Sequence, residues 1–186
     1  MIRSMPVRRL KRGFKLALIK LLVGSKASGV HLSYVGRGAA EDLCRRIADI
    51  GHTDVLVVTD GALKELGLAE RALSKLVESG VNLHWYAGVD PDPTFTHINE
   101  GAEALRAAGC TAIVAVGGGS SMDAAKVIAC TRSSDQSPEQ WVGLNKTPED
   151  VLPIYAIPTT SGTGSEATMG AVIKDPIAKM KHIIVA

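Results

Sequence analysis

The chain has 186 residues, of which 46% are hydrophobic and 22% charged, with 19 glycines and 8 prolines. This composition is typical of a folded globular domain and excludes a disordered chain, a collagen-like repeat and a disulfide-rich scaffold. The formal charge of +2 is unevenly distributed: eight of the 21 basic residues and none of the 19 acidic residues lie in residues 1–26, so the rest of the chain carries −6. We therefore expect no nonspecific nucleic-acid binding by the domain itself.

The N-terminal residues 1–28 are predicted to form a basic amphipathic helix or tail ahead of a domain that spans residues 29–186. Apolar residues between Val7 and Leu21 recur at helical spacing, and arginines and lysines fill the intervening face. Three interpretations remain open: contact of residues 5–22 with an anionic membrane surface, packing against the domain or a partner, and a targeting peptide. No uninterrupted apolar run reaches the ~18 residues of a membrane-spanning helix.

The remaining chain alternates short apolar runs with longer amphipathic stretches. The predicted strands are His31–Val35, Asp54–Thr59, Asn82–Ala87, Thr111–Val116 and Ile154–Ile157, and the predicted helices are Ala39–Ile50, Ala62–Ser79, Thr94–Ala108 and Ser121–Cys130. Strands this rich in Val and Ile indicate burial on both faces. The alternation predicts an α/β fold, a doubly wound, mostly parallel sheet, in which the polar stretch Ser133–Asp150 is a surface connection.

Three cysteines, Cys44, Cys110 and Cys130, are spread along the chain without a C-x-x-C pair. Because an odd, scattered set does not form a disulfide framework, we expect reduced thiols and a cytoplasmic location, with peripheral attachment to a membrane left open by the basic segment. We interpret the three as small core residues rather than nucleophiles.

Two features follow the first predicted strands. The run Gly36–Glu41 begins like a dinucleotide-binding fingerprint, but Glu41 replaces its third glycine, so we interpret the run as a structural turn. Asp60 ends the strand Asp54–Thr59, where a carboxylate can accept hydrogen bonds from ribose hydroxyls. The same residue can instead cap the helix that begins near Ala62, and the spacing alone leaves both roles open.

The run Gly117–Ser120, here called the glycine loop, carries the strongest functional signal. It follows a buried strand and precedes a helix, and its three glycines allow a sharp turn and the close approach of a ligand. The helix directs unpaired N–H groups and its positive dipole end into the same space, which favours a pyrophosphate. Ser120 and Asp123 have capping-box spacing. The loop is not a P-loop, since no Gly-Lys-Ser/Thr follows at the required spacing.

A second loop, Thr159–Thr168, is here called the hydroxyl loop and also follows an apolar strand. Residues 159–165 hold five hydroxyl side chains and two glycines, which supply hydrogen-bond donors and close backbone approach. Such a loop alone is a weak signal, because Ser, Thr and Gly also make ordinary turns. Two such loops at the ends of buried strands are stronger, because ligands of open α/β sheets bind at the carboxyl ends of the strands.

These motifs resemble the iron-containing (group III) alcohol dehydrogenases. GGGSSMDAAK at Gly117–Lys126 and PTTSGTGSEAT at Pro158–Thr168 are similar to the family's two signature segments, and YVGRGA, TDGAL and VDPDPT precede them in matching order. The likeness runs from about Leu32 to the chain end. It implies a dehydroquinate synthase-like, Rossmann-like N-terminal domain that binds NAD(P), and a C-terminal helical domain that binds a divalent metal.

The resemblance also implies roles for individual residues. Gly118, Gly119 and Ser120 would hold the pyrophosphate, with Asp123 nearby. Thr159, Thr160, Thr163 and Thr168 would line the adenosine and nicotinamide sides, and Lys181 would reach the ribose. Asp60 matches the position that favours NAD over NADP. Two positions depart from the family: Ser121 stands where Pro is common, and Asp92 where Asn is common, which puts Asp92 in doubt as a cofactor contact.

The expected enzyme transfers hydride between an alcohol or aldehyde and NAD. The resemblance places its metal ligands, for Fe²⁺ or another divalent ion, in the helical domain, and the five histidines of this chain show no ligand spacing. Because the apolar run Lys181–Ala186 ends without a turn, we expect an inactive fragment that lacks this domain. The alternatives are a stand-alone, non-catalytic nucleotide-binding module and another reductase of the same fold, such as maleylacetate reductase or glycerol dehydrogenase. Homo-oligomerisation is left open.

Overall fold

The computed structural model describes residues 32–185. The basic helix or tail predicted for residues 1–28 lies outside this range. The strands are β1 (Asp54–Val58), β2 (Asn82–Tyr86), β3 (Ala112–Gly117), β4 (Gly143–Leu144), β5 (Ile154–Pro158), β6 (Gly170–Asp175) and β7 (Met180–Val185). The α-helices are α1 (Ala39–Ile50), α2 (Gly61–Glu65), α3 (Leu68–Ala72), α4 (Ser74–Glu78), α5 (Phe95–Ala108) and α6 (Gly119–Cys130).

The main sheet has the strand order β2-β1-β3-β5, and every pair in it is parallel. Side chains of β1 and β3 alternate between two apolar clusters. Val55 and Val57 pack with α1, α3 and α4 on one face, whereas Leu56 and Val58 pack with α5 and α6 on the other. Burial on both faces explains the near-continuous Val and Ile content of these strands. The predicted doubly wound, mostly parallel α/β sheet is therefore confirmed.

Helix α1 has the predicted bounds because glycines define both of its ends. Gly38 and Gly51 adopt left-handed backbone conformations, with φ of 84° and 95°, before and after the helix. Gly36 lies in the turn that leads into α1, and the N–H of Ala39 donates to its carbonyl. The interpretation of this glycine pair as a structural turn agrees with the structure.

The predicted single helix Ala62–Ser79 is wrong, because the structure divides this stretch into α2, α3 and α4. Gly67 has φ of 65° and separates α2 from α3, and Leu73 leaves helical geometry between α3 and α4. The breaks change the direction of the chain, so that Ala69, Leu73 and Leu76 are all fully buried against the sheet. Val77, which continuous helical spacing places on the buried stripe, is 55% exposed.

The predicted strand His31–Val35 is also wrong over the described residues 32–35, which form no strand and leave Leu32 and Val35 largely exposed. The structure adds a small second sheet that the sequence pattern did not predict. Its strand order is β4-β7-β6, with β6 and β7 forming an antiparallel hairpin. Strand β4 lies within the predicted surface connection, and this connection also contributes Trp141, which is fully buried. The connection therefore anchors the second sheet.

Candidate functional site

The glycine loop joins β3 to α6 at the centre of the parallel sheet. Gly118 occupies the N-cap position in an extended conformation, and no side chain caps the helix. The predicted Ser120–Asp123 capping box is therefore wrong, because α6 already begins at Gly119 and Ser120 lies within its first turn. Since the first N–H groups of a helix have no intrahelical partner, this uncapped end is suited to an anion.

The hydroxyl loop lies directly opposite the glycine loop. A Cβ atom built on Gly118 would lie 3.1 Å from Thr160 Oγ1, and one built on Gly119 would lie 3.2 Å from Ser165 Oγ and 3.6 Å from Thr163 Cβ. The missing side chains thus allow the hydroxyl side chains to approach the start of α6 closely. Ser165 was not among the predicted site residues, although it belongs to the hydroxyl-rich run.

Asp60 lies beside the same turn, at the end of β1. Its Oδ1 accepts a hydrogen bond of 2.9 Å from the N–H of Leu63, which makes it the N-cap of α2. A Cβ on Gly117 would lie 3.7 Å from the other oxygen, Oδ2. One carboxylate therefore caps a helix and also borders the glycine loop. Strands β1 and β3 flank the point where the strand order reverses, which is where open α/β sheets bind ligands.

Ser120 and Lys181 are linked through Asp92. The N–H of Asp92 donates to Ser120 Oγ at 3.2 Å, and Lys181 Nζ lies 2.6 Å from Asp92 Oδ1. This ion pair lowers the pKa of the Asp92 carboxyl. Asp92 therefore holds Lys181, on β7, near the first turn of α6. Asp92 is also the residue whose role as a cofactor contact is in doubt from the resemblance.

Asp123 and Thr168 face a different neighbour. Lys126 Nζ contacts Asp123 Oδ1 at 3.1 Å and Thr168 Oγ1 at 3.3 Å, and the N–H of Val172 donates to Asp123 Oδ2 at 3.0 Å. Both carboxylate oxygens of Asp123 are therefore bonded within the protein. Thr159, also a predicted site residue, donates its backbone N–H to the carbonyl of Gly117 at 2.9 Å.

The four histidines within residues 32–185 make contacts within the protein, and so do the cysteines. His52 bonds to Thr111 and Tyr155; the partners of the others are Asp54 for His84, the N–H of Thr94 for His97, and Asp175 for His182. Within residues 32–185, no group of three or more His, Cys, Asp or Glu is placed to hold a metal ion. All three cysteines are buried and free, and burial raises the pKa of the Cys110 and Cys130 thiols to about 11, as expected for core residues rather than nucleophiles.

Comparison with known proteins assigns the chain to a family. A family model described as iron-containing alcohol dehydrogenase matches residues 32–186. The chain belongs to this family. The NAD-dependent methanol dehydrogenase of Bacillus methanolicus is 37% identical over 153 residues, which cover 82% of this chain and 40% of that protein.

Solved structures of the family agree with the fold. A 1,3-propanediol oxidoreductase superposes with a TM-score of 0.79 at 31% identity, over 84% of this chain and 41% of its own. The sulfoacetaldehyde reductase of Bifidobacterium kashiwanohense, solved in complex with NAD⁺, gives a TM-score of 0.74 at 31% identity, over 85% of this chain and 44% of its own. The chain thus spans about two fifths of the length of these relatives. In the described part of the chain, every helix is too short or too polar to cross a bilayer.

Proposed function

We propose that this chain binds NAD(H) and forms the cofactor-binding part of a dehydrogenase that interconverts a small alcohol and its aldehyde. The observation that carries the proposal is the apposition of the glycine loop and the hydroxyl loop at the uncapped start of α6. The names of the relatives, a methanol dehydrogenase, a propanediol oxidoreductase and a sulfoacetaldehyde reductase, support the substrate class.

The residues fit a dinucleotide. The backbone N–H groups from Gly119 onward, together with the helix dipole, would hold the pyrophosphate. A side chain on Gly118 or Gly119 would crowd the hydroxyl side chains that face this helix start. The hydroxyls of Thr160 and Thr163 would bond to the phosphate and the adjoining ribose. Asp60 would accept hydrogen bonds from the adenosine ribose and repel a 2′-phosphate, so NADH is preferred over NADPH.

Bound NAD(H) would supply or accept the hydride, while this chain would contribute orientation and electrostatics. Lys181, whose ammonium group lies 2.6 Å from Asp92 Oδ1, would reach the ribose. The described residues do not fit a metal site, so we derive no metal-dependent step from them.

Titration of the chain with NADH, followed by calorimetry, tests the proposal. We expect saturable binding with one NADH per chain and at least tenfold weaker binding of NADPH, since a repulsion of about 1.4 kcal/mol between Asp60 and the 2′-phosphate corresponds to a factor of ten. Gly119→Asp places a carboxylate at the pyrophosphate position and should abolish binding. Ser74→Asp is the matched control, because it adds the same charge at an exposed first residue of a helix, α4, outside both loops. Equal binding of NADH by the two variants would refute the site.

A further inference from the structure

One largely buried ion pair links α6 to the end of the hydroxyl loop. Asp123 and Lys126 are one turn apart on α6, and their side chains are only 12% and 17% exposed. We infer that this pair positions the hydroxyl loop against the glycine loop, and that Asp123 and Lys126 are positioning residues that do not contact the nucleotide. The expected effect of the pair on NADH binding rests on the proposed function, whereas its expected effect on the order of the hydroxyl loop does not.

The three donors of the Lys126 ammonium group are all used. They contact Asp123 Oδ1 at 3.1 Å, Thr168 Oγ1 at 3.3 Å and the carbonyl of Gly170 at 2.8 Å. Thr168 and Gly170 mark the place where the hydroxyl loop ends and β6 begins. The second oxygen of Asp123 accepts from the N–H of Val172, so the pair holds alternate residues of the chain as it enters β6.

The other end of the hydroxyl loop is fixed differently. Strand β5 pairs with β3 as far as Pro158 opposite Gly117, and the N–H of Thr159 continues this ladder to the Gly117 carbonyl. Between the two ends, the hydrogen bonds of residues 160–167 are local, such as those of Thr163 with Glu166 and with the N–H of Ser165. The backbone ladder therefore fixes the entry of the loop, and the ion pair fixes its exit.

Both anchors belong to the segment that carries the glycine loop. Asp123 and Lys126 lie one and two turns after Gly119 on α6, so the exit of the hydroxyl loop is held at a fixed distance from the helix start. Because charged hydrogen bonds shielded from water are stronger than neutral ones, losing the ammonium group releases the exit more than losing a surface lysine would. A positioning role explains why both carboxylate oxygens of Asp123, within the motif Gly117–Lys126, are bonded to protein groups.

Lys126→Met is the direct test, measured in the 186-residue chain by hydrogen–deuterium exchange without ligand and by NADH titration. We expect faster exchange in residues 159–170, unchanged exchange in β1 and β3, and NADH binding weakened about tenfold, because the loop must then be ordered on binding. Lys126→Arg should restore most of the affinity. Lys75→Met, which removes a lysine from the exposed i,i+3 pair with Glu78, is the matched control and should change neither measurement.

A second variant separates positioning from general destabilisation. Lys126→Met leaves a buried carboxylate without its partner, whereas Asp123→Asn/Lys126→Met removes both charges and is expected to fold as stably as wild type while keeping the faster loop exchange. Unchanged exchange in residues 159–170 of the double variant would overturn the inference, as would wild-type NADH affinity in Lys126→Met. If wild type itself binds no NADH, the proposed function fails, and the exchange data still decide whether the pair orders the loop.

Discussion

The two roles of Asp60 can be separated by a pair of substitutions. In the structure, Oδ1 caps α2 through the N–H of Leu63 at 2.9 Å, and Oδ2 borders the turn at Gly117. Asp60→Ala removes both oxygens. Asp60→Asn keeps a capping oxygen of equal quality but removes the charge and one acceptor. The stability effect should therefore follow the cap, and the nucleotide effect should follow the carboxylate.

The magnitudes differ enough to be measured. Loss of the cap in Asp60→Ala should lower the free energy of unfolding by about 1 kcal/mol, whereas Asp60→Asn should change it by only a few tenths. Loss of a charged hydrogen bond to the ribose should weaken NADH binding by about 1.5–3 kcal/mol in both variants, which corresponds to roughly 10- to 150-fold. Asp60→Asn should also reduce the difference in affinity between NADH and NADPH, because the carboxylate no longer repels the 2′-phosphate.

Urea denaturation followed by circular dichroism measures the first quantity, and calorimetric titration with NADH and NADPH measures the second. The reasoning is refuted if Asp60→Asn retains wild-type affinity and selectivity for NADH. It is equally refuted if Asp60→Asn destabilises the chain as much as Asp60→Ala, since the carboxylate charge would then be needed for the fold itself.

Three further predictions concern packing and burial within the fold. Gly117→Ala should lower the free energy of unfolding in urea by about 1–3 kcal/mol, because the new Cβ would lie 2.7 Å from the Cβ of Ser121; a change below about 0.5 kcal/mol would contradict the packing described. Burial lowers the pKa of His52 below its usual 6.5, so its contribution to stability is present above that pH and is lost as the pH falls through the lowered value. The free energy of unfolding should therefore decline more between pH 7 and pH 5 in wild type than in His52→Gln. Equal declines in the two proteins would contradict a lowered pKa for His52. Because the pKa values of Cys110 and Cys130 are raised to about 11, iodoacetamide at pH 8 should modify neither thiol in the native chain and both in urea, as read by mass spectrometry; labelling of the native chain would show that these thiols are accessible.

The parts of the fold that the sequence predicts are those with one dominant physical cause. Strands β1 and β3 are apolar runs rich in Val and Ile, as expected for strands that are buried on both faces of a sheet. The bounds of α1 follow from Gly38 and Gly51, whose left-handed conformations end the helical geometry. The division of residues 62–79 is not predicted because the hydrophobic positions of this stretch keep helical spacing. The structure breaks the helix at Gly67, which adopts a left-handed conformation, and again at Leu73.

The hairpin of β6 and β7 is not predicted because its hydrophobic pattern is weak. Its apolar residues are split between a buried face and an exposed one, with Val172 and Ile183 39% and 56% exposed, so the pattern is weak along the sequence. The candidate site shows the same limit. The motifs locate both loops, and the resemblance places Asp123 near the pyrophosphate, but an acidic residue at that position is compatible with either a ligand contact or an internal ion pair. The contacts of Asp123 with Lys126 and with the N–H of Val172 depend on the tertiary fold, so the sequence does not predict them.

The most direct test of the account is a crystal structure of the chain at saturating NADH. The account predicts the pyrophosphate at the start of α6, between Gly118–Gly119 and the hydroxyls of Thr160 and Thr163, with the adenosine ribose on Asp60. A dinucleotide bound elsewhere on the chain, or its pyrophosphate seated away from both loops, would contradict the central claim that the glycine loop and the hydroxyl loop form one nucleotide site.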